Sequence, residues 1–441
     1  FLNHTIASFK ISNHLTPVSS ILPNSWYHKS VNRPFAINIA PKNVQDFDVA
    51  IIGGGLTGIG AALKLVKNNV NVAVIEAHEI GAGASGRNGG LVCSGYRHDQ
   101  IWLEEKMGKS EAHELWDISQ GAKKNLENIL SENQINADYE KGLLFCAHNK
   151  RMFDWLQSDM AHLQNEYSYN DLEILDESEC NHAISTKDYK GGVLDKGAGR
   201  VHPLKLLYGM ANAAIKNGAI IYEKTRAIAI EENSNGVKII HENGHINAKN
   251  LLICGDGYLH SINQEVEAKV LPISSFVIAT EKLDFDLMPN AIGAMDTKFV
   301  VNYFQKTFDN RLLFGGGEKY TPNWPKDIAG FVRKNLLKIY PQLENVKIEH
   351  AWGGALGITP TRLPFVRKIG KAIYSASGYS GQGVLLAPFF GDILGQMILG
   401  DAQKFETLSK MPVPDFPGGR MFRFPLLTAA MSYYSILDKL P

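Results

Sequence analysis

The stretch from Phe47 to Gly90 constrains this chain most, because its pieces follow one another in an order that only a few folds use. The apolar run Phe47-Asp48-Val49-Ala50-Ile51-Ile52 reads as a buried parallel strand. Gly53-Gly54-Gly55-Leu56-Thr57-Gly58 follows directly, with glycines in the G-x-G-x-x-G spacing. A helical pattern runs from Ile59 to Asn68, made small on one side by Gly60, Ala61 and Ala62. A second strand, Val70 to Ile75, ends in Glu76, with Ala77 after it. Gly53 permits the tight turn, Gly55 lets backbone approach a pyrophosphate, and Gly58 lets helix and strand pack closely. Leu56 and Thr57, between these glycines, fall at the same contact, where a helix N-terminus presents free N–H groups and a positive dipole end. Glu76 stands where a carboxylate accepts the ribose hydroxyls of an adenosine. A bare glycine motif is weak, but strand, glycines, helix, strand and terminal acid in order favour a dinucleotide site over a structural glycine turn.

Two further glycine clusters add to this. Gly81 to Gly90 contains too many glycines for a helix or strand, so it is a loop rich in exposed backbone N–H groups. Its second half, Ser85, Gly86, Arg87, Asn88, Gly89 and Gly90, leading into Leu91, can wrap closely around a flat ligand, with Arg87 and Asn88 as extra donors. Near the C-terminus the strand Ile373 to Ser377 meets the loop Gly378-Tyr379-Ser380-Gly381-Gln382-Gly383 and a helix from Val384 to Leu399. One dinucleotide has one pyrophosphate, so this second helix N-terminus is free to serve the other end. Aimed at the N1–C2=O edge of a flavin, it would stabilise the negative charge of the reduced ring. The buried strand Leu251 to Cys254 ends in Gly255-Asp256-Gly257, a turn that can also pass close to the cofactor.

Composition removes several other classes. Lys+Arg and Asp+Glu are balanced at 45 each over 441 residues, so no global field attracts nucleic acid. The cysteines Cys93, Cys146, Cys180 and Cys254 are scattered and do not combine with histidines at zinc spacing. Reduced thiols, no metal and a cytoplasmic location are expected. No apolar run is long enough to span a membrane, and the N-terminus lacks the pattern of a secretory signal.

Residues 1–45 read as an arm, with Ser25-Trp26-Tyr27 able to pin it onto the body. Gln100 to Asn133 and Arg151 to Glu166 are amphipathic helical patterns that start a second domain. His202-Pro203 precedes a helix from Leu204 to Asn217. Strands follow through Cys254, and residues 271 to 320 are strand-rich again. Alternation over Phe299 to Gln305 puts Phe299, Val301, Tyr303 and Gln305 on one face, the floor of a substrate domain. The tail holds four prolines between 412 and 425, then an amphipathic segment, Leu426 to Leu440. Its few cations favour core packing or a subunit contact over docking on a membrane.

Taken together, Gly83-Ala84-Ser85-Gly86-Arg87-Asn88-Gly89-Gly90, Asn310-Arg311-Leu312-Leu313-Phe314-Gly315-Gly316, Trp352-Gly353-Gly354, Gly357-Ile358-Thr359, Arg362-Leu363-Pro364 and Gly378-Tyr379-Ser380-Gly381-Gln382-Gly383 carry a resemblance. The chain resembles, over about residues 46 to 400, the FAD-dependent amine and amino-acid oxidoreductases of the D-amino-acid oxidase, glycine oxidase and sarcosine oxidase superfamily. It looks most similar to the γ-glutamylputrescine oxidase branch, which Phe416-Pro417-Gly418-Gly419 also matches. The resemblance implies an α/β fold: a Rossmann-like FAD-binding domain interleaved with an α+β substrate domain built on a mostly antiparallel sheet. The FAD domain would take 46–100, 187–270 and 345–400, and the substrate domain 101–186 and 271–344, with 1–45 as arm and 401–441 as tail. By position, Gly53, Gly55 and Gly58 would face the pyrophosphate, Glu76 the ribose, and the Ala227 backbone the adenine. Ser85 to Gly90 and Gly381 to Val384 would flank the isoalloxazine. Some relatives attach the flavin through a late cysteine; none follows Cys254 here, so non-covalent FAD is expected. Gln305 stands where close relatives often carry Arg, and Gln cannot clamp a carboxylate bidentately.

The chemistry so implied is oxidation of the C–N bond of a small amine or amino acid. A hydride passes to flavin N5, and the imine hydrolyses to a carbonyl; dioxygen or an electron carrier takes the electrons. The protein supplies orientation, a dry site and charge stabilisation. Tyr303, Gln305 and His202 are the candidates over the flavin, although a histidine before a helix-starting proline also suits a structural role. Two other readings stand beside this one. An FAD-binding accessory protein would assist maturation of a partner, docking through its tail and arm. An NAD(P)-dependent dehydrogenase is disfavoured by the late glycine loop.

Overall fold

The structure is a computed structural model that describes residues 22–320, 323–419 and 422–429. The first 21 residues of the arm and most of the segment from Leu426 to Leu440 lie outside the described residues.

Two sheets organise the chain. The first has a parallel centre, in which Gln45–Ile52 pairs with Val72–Ile75 on one side and Gly244–Ile253 on the other, so that Ile51 faces Val74 and Leu252. Ile220–Tyr222 and Ile373–Ser377 extend this centre in parallel. Phe365–Lys368 closes one edge antiparallel, and Ala227–Asn233 and Gly236–His241 add an antiparallel arm. The central strands are β-branched and buried on both faces, as helix-covered parallel strands require. Two helices cover them, Leu56–Val66 and Gly383–Ile398, packed backbone against backbone: a Cβ on Gly60 would lie 2.4 Å from Pro388 O, and one on Gly391 2.0 Å from Thr57 O.

Among the described residues the second sheet has nine strands and is antiparallel except where Gly293–Asp296 runs parallel to Glu140–Cys146. Its floor runs from Ile348–Ile358 through Leu271–Thr280 and Leu312–Lys319 to Tyr303–Lys306. The helix Ile328–Ile339 buries Val332 and Leu336 against one face, beside Phe276, Phe304 and Phe314. The other face turns toward the first sheet. This is the α/β, interleaved architecture expected, because the strand Gln45–Ile52 finds its neighbour at Gly244–Ile253, far along the chain.

Several expected boundaries differ. Leu91–Val92, Gly192–Arg200 and Ile348–Ile358, expected with the FAD half, are hydrogen-bonded into the second sheet. The pattern from Gln100 to Asn133 forms two helices, Gln100–Met107 and Lys109–Glu132, because Gly108 between them has φ +92. The strand expected from Phe299 begins only at Tyr303. The reason is local: the Asp296 carboxylate accepts from Asn302 N at 2.9 Å and Asn302 Nδ2 at 2.7 Å, folding the intervening residues into a closed loop.

The described part of the arm is pinned as expected. Ser25 caps the short helix Trp26–Ser30, whose Trp26 and Tyr27 are buried. Further along, Arg33 pairs with the buried Glu223, which also accepts from Ile80 N at 2.6 Å. In the tail, Phe416 and Leu427 pack on Leu271, Ile273 and Ile358 of the same chain. No helix among the described residues is long and apolar enough to cross a membrane.

Candidate active site

A cavity of about 1150 Å³ lies between the two sheets and is lined from both. At one end the Gln45–Ile52 strand delivers Gly53 at φ +106, where a Cβ would sit 2.7 Å from Cys254 O. Gly58 is one turn on, and a Cβ there would be 2.0 Å from Gly53 O, so the helix can approach the turn only without one. Gly55 caps the helix and borders Ser85, whose Oγ accepts from Leu56 N at 3.0 Å. The second glycine loop is thereby tied to the first. Glu76 is held in place by Gly54 N (2.8 Å to Oε2) and His78 N (2.9 Å to Oε1). Burial pushes its pKa up, against these two backbone bonds, which lower it. Ala77, Ala227 and Gly255 line the same end.

The loop from Ser85 is shaped by its own side chains. Arg87 is buried and donates to Ala82 O (2.6 Å) and Gly353 O (2.9 Å). Asn88 Nδ2 donates to Ala84 O and Ser85 O, both at 3.1 Å, while its Oδ1 accepts from Gly90 N at 2.8 Å. Gly89 and Leu91 line the cavity; Gly86 and Gly90 do not, being packed against Gly81 O and Val201 O. Trp352 Nε1 donates to Arg87 O at 2.9 Å, and Tyr27 of the arm lies edge-on to Trp352 at 5.4 Å.

The third cluster closes the cavity from the far side. Gly381 (φ +103), Gln382, Gly383 and Val384 line it at the N-terminus of the helix Gly383–Ile398. Gly378, in contrast, is packed against Thr359 and donates its N–H to Asp256 Oδ1 at 2.6 Å. Tyr379 OH and Thr57 Oγ1 are 2.8 Å apart, linking the two helix starts. Gln382 Oε1 is buried with no hydrogen-bond partner.

The expected catalytic candidates separate. Tyr303 lines the cavity, its ring against Gly89 and Gly315 and its hydroxyl 3.2 Å from Ser275 Oγ. Burial pushes its pKa up to about 12. Gln305 is not part of the lining: its Nε2 donates to Gly89 O at 2.5 Å, and Arg200 Nη1 donates to its Oε1 at 3.4 Å. His202 is also outside the lining, at the N-cap of Pro203–Lys216 and between Trp26 and Tyr27. Phe299 and Val301 share the cavity with Tyr303 although they lie in the loop, not in a strand. Sequence reasoning did not single out Asp256, Arg97, Ser275 or Glu318, all of which line the cavity. Asp256 had a signal, its place in the small-residue turn; the others had none. No group of metal-binding side chains occurs among the described residues.

The residues present fit FAD. Two helix N-termini open on one cavity, glycines stand where side chains would fill it, and the buried acceptor Gln382 Oε1 lacks a donor. A parallel sheet with two such helix starts, joined to an antiparallel floor, defines a two-domain dinucleotide flavoprotein. The chain belongs to the DAO family of FAD dependent oxidoreductases, which it matches over residues 48–397. It is therefore an FAD-dependent oxidoreductase, of a family whose members act on amines and amino acids. It is 36% identical to a probable oxidoreductase OrdL of Rhizobium meliloti, covering 96% of this chain and 100% of that one. It is 33% identical to γ-glutamylputrescine oxidoreductase of Escherichia coli, covering 95% and 98%. Among solved structures, glycine oxidase from Geobacillus kaustophilus shares the fold, with a TM-score of 0.70 at 20% identity over 80% of this chain and 95% of that one.

Proposed function

We propose that this protein oxidises a primary or secondary amine, of the kind found in an N-acylated diamine such as γ-glutamylputrescine, with FAD held non-covalently. The 33% identity to γ-glutamylputrescine oxidoreductase over nearly the whole of both chains supports the substrate class. The observation that carries the chemistry is the character of the cavity beyond the cofactor end. Its walls there include the apolar Phe299, Val301 and Met295 beside Tyr303, whose phenol is kept neutral by burial and by the nearby Glu318 carboxylate.

Bound FAD supplies a hydride acceptor for the carbon next to the amine nitrogen. The substrate is left as an imine, which takes up water and yields a carbonyl compound. Such a step asks orientation and dryness of the protein rather than a strong base. Gly53, Gly55, Leu56 and Thr57 are assigned to the pyrophosphate, Glu76 to the ribose and Ala227 to the adenine. The Ser85 to Leu91 loop and Gly381 to Val384 flank the isoalloxazine, with the helix N-terminus offsetting negative charge. Tyr303, kept as a neutral phenol by burial, borders the substrate as a wall and hydrogen-bond donor. Gln305 and His202 act behind the loop, holding Gly89 and the arm in place.

Anaerobic titration of the yellow protein with an amine panel tests this reading. Bleaching of the flavin absorbance by an N-acylated diamine is expected. If dithionite bleaches the protein and no amine does, the reading fails. Acid denaturation is expected to release the flavin into the supernatant.

A further inference from the structure

One charged pair on the cavity wall has no use in the scheme above. Glu318 belongs to the strand Leu312–Lys319. Strict alternation would put it on the opposite face from Gly315, which borders Tyr303 in the cavity. A bulge reverses this: Val277 pairs with Gly315, but the next pair is Ser275 with Glu318. The extra residue is absorbed at Gly316 and Gly317. Gly317 has φ +83, and a Cβ there would meet Phe331 on the helix side of the sheet. Lys319 also stays on that side, with its Nζ 5.5 Å over the Phe331 ring. Glu318 is thereby turned into the cavity beside Ser275, whose Oγ bonds Tyr303. Bulges re-aim side chains in this way next to active sites.

The carboxylate is held by one hydrogen bond and keeps an oxygen open to the cavity. Tyr320 OH donates to Oε2 at 2.7 Å, and Oε1 takes no hydrogen bond among the described residues. Arg97 lines the same cavity from the loop after Val92, exposed and with neither hydrogen bond nor ion pair among the described residues. Arg362, on the same cavity wall, and then Arg97 act on Glu318 through their fields, and Arg97 forms no ion pair with it. Burial raises the Glu318 pKa, so this carboxylate gains from a cation brought to it. A carboxylate oxygen and a guanidinium, both without a protein hydrogen-bond partner among the described residues and facing one space, match a ligand group that carries both charges.

We propose that Glu318 and Arg97 form a bipolar subsite for a zwitterionic group of the substrate, an ammonium on Glu318 Oε1 and a carboxylate on Arg97, separate from the C–N bond that reacts. The subsite rests on the amine-oxidising reading above and selects substrates with an amino-acid end over simple amines.

Four putrescine derivatives test it, acylated on one nitrogen by a γ-glutamyl, glutaryl, γ-aminobutyryl or butyryl group. These present both charges, the carboxylate, the ammonium, or neither. The E318Q variant is expected to raise KM about tenfold for the two ammonium-bearing compounds, and R97Q about tenfold for the two carboxylate-bearing ones, with kcat and the butyryl KM little changed. E318D is expected to recover part of the loss. Equal KM for all four compounds in the wild type, or an E318Q effect as large on the butyryl compound, overturns the subsite. If none of the four reduces FAD, it is the amine-oxidising reading that fails. The subsite is then read from binding of γ-glutamylbutylamine, which has no second amine, by its perturbation of the bound-FAD absorbance. A dissociation constant unchanged between wild type, E318Q and R97Q overturns it. Bound FAD per chain is measured throughout to show that each variant folds.

Discussion

His202 does three things with one ring. Its Nδ1 accepts from Lys205 N at 3.2 Å and caps a helix, its Nε2 meets Ser30 Oγ at 2.9 Å, and its faces meet Trp26 and Tyr27. The cap bond needs an unprotonated Nδ1, so the ring is neutral with its proton on Nε2. Burial accordingly lowers its pKa from 6.5 to about 3. Between those values the unfolded chain binds a proton that the folded chain refuses. Its contribution is therefore intact above pH 6.5 and falls as pH drops toward 3. From pH 7 to pH 5 this one residue is expected to remove about 2 kcal/mol of stability. His202→Asn keeps a capping side chain and removes the titration. Urea midpoints at the two pH values should fall less in the variant; equal falls would show that His202 is not the titrating group. Gln305 makes a related point. Its place on the alternating face was legible, but its engagement with Gly89 O was not, because that partner comes from a distant loop.

At the scale of elements, the site depends on two helices meeting without side chains between them. Gly60 and Gly391 are the contact points, and Thr57 and Tyr379 lie at the helix starts they bring together. A methyl at Gly391 would meet backbone rather than a movable side chain, so one helix must shift. Gly391→Ala is expected to cost about 1–3 kcal/mol, as overpacking does. Because both N-termini border the cavity, FAD affinity should weaken too, by about tenfold for each 1.4 kcal/mol transmitted to the site. Flavin-fluorescence titration of apoprotein measures this; unchanged affinity with lowered stability would separate the packing from the cofactor site. The small side of the first helix was visible in Gly60-Ala61-Ala62. Nothing in the sequence paired it with Gly391, since a glycine inside an apolar helix reads only as a weak point.

For the whole molecule, the cavity is lined from both sheets, and the arm braces it from behind through Tyr27 against Trp352. FAD held in this cavity would stabilise the folded chain by mass action. At free FAD about 100 times its dissociation constant the gain is about 2.7 kcal/mol. Stripping FAD should lower Tm measured by circular dichroism, and adding it back should raise Tm with concentration. The same Tm with and without FAD would contradict a shared site.

The sequence by itself determined the local pieces: the strand, turn, helix and acid from Phe47 to Glu76, and the two later glycine loops. Each works through periodicity or backbone freedom within one segment, so a short window contains the cause. Only the tertiary structure decided which sheet Gly192–Arg200 and Ile348–Ile358 join, because strand partners are chosen by edges elsewhere in the chain. The same holds for the loop closed by Asp296 and Asn302 and for the side of the sheet that Glu318 faces. Alternation runs with period two until a bulge breaks it, and the bulge exists only in the register with Leu271–Thr280.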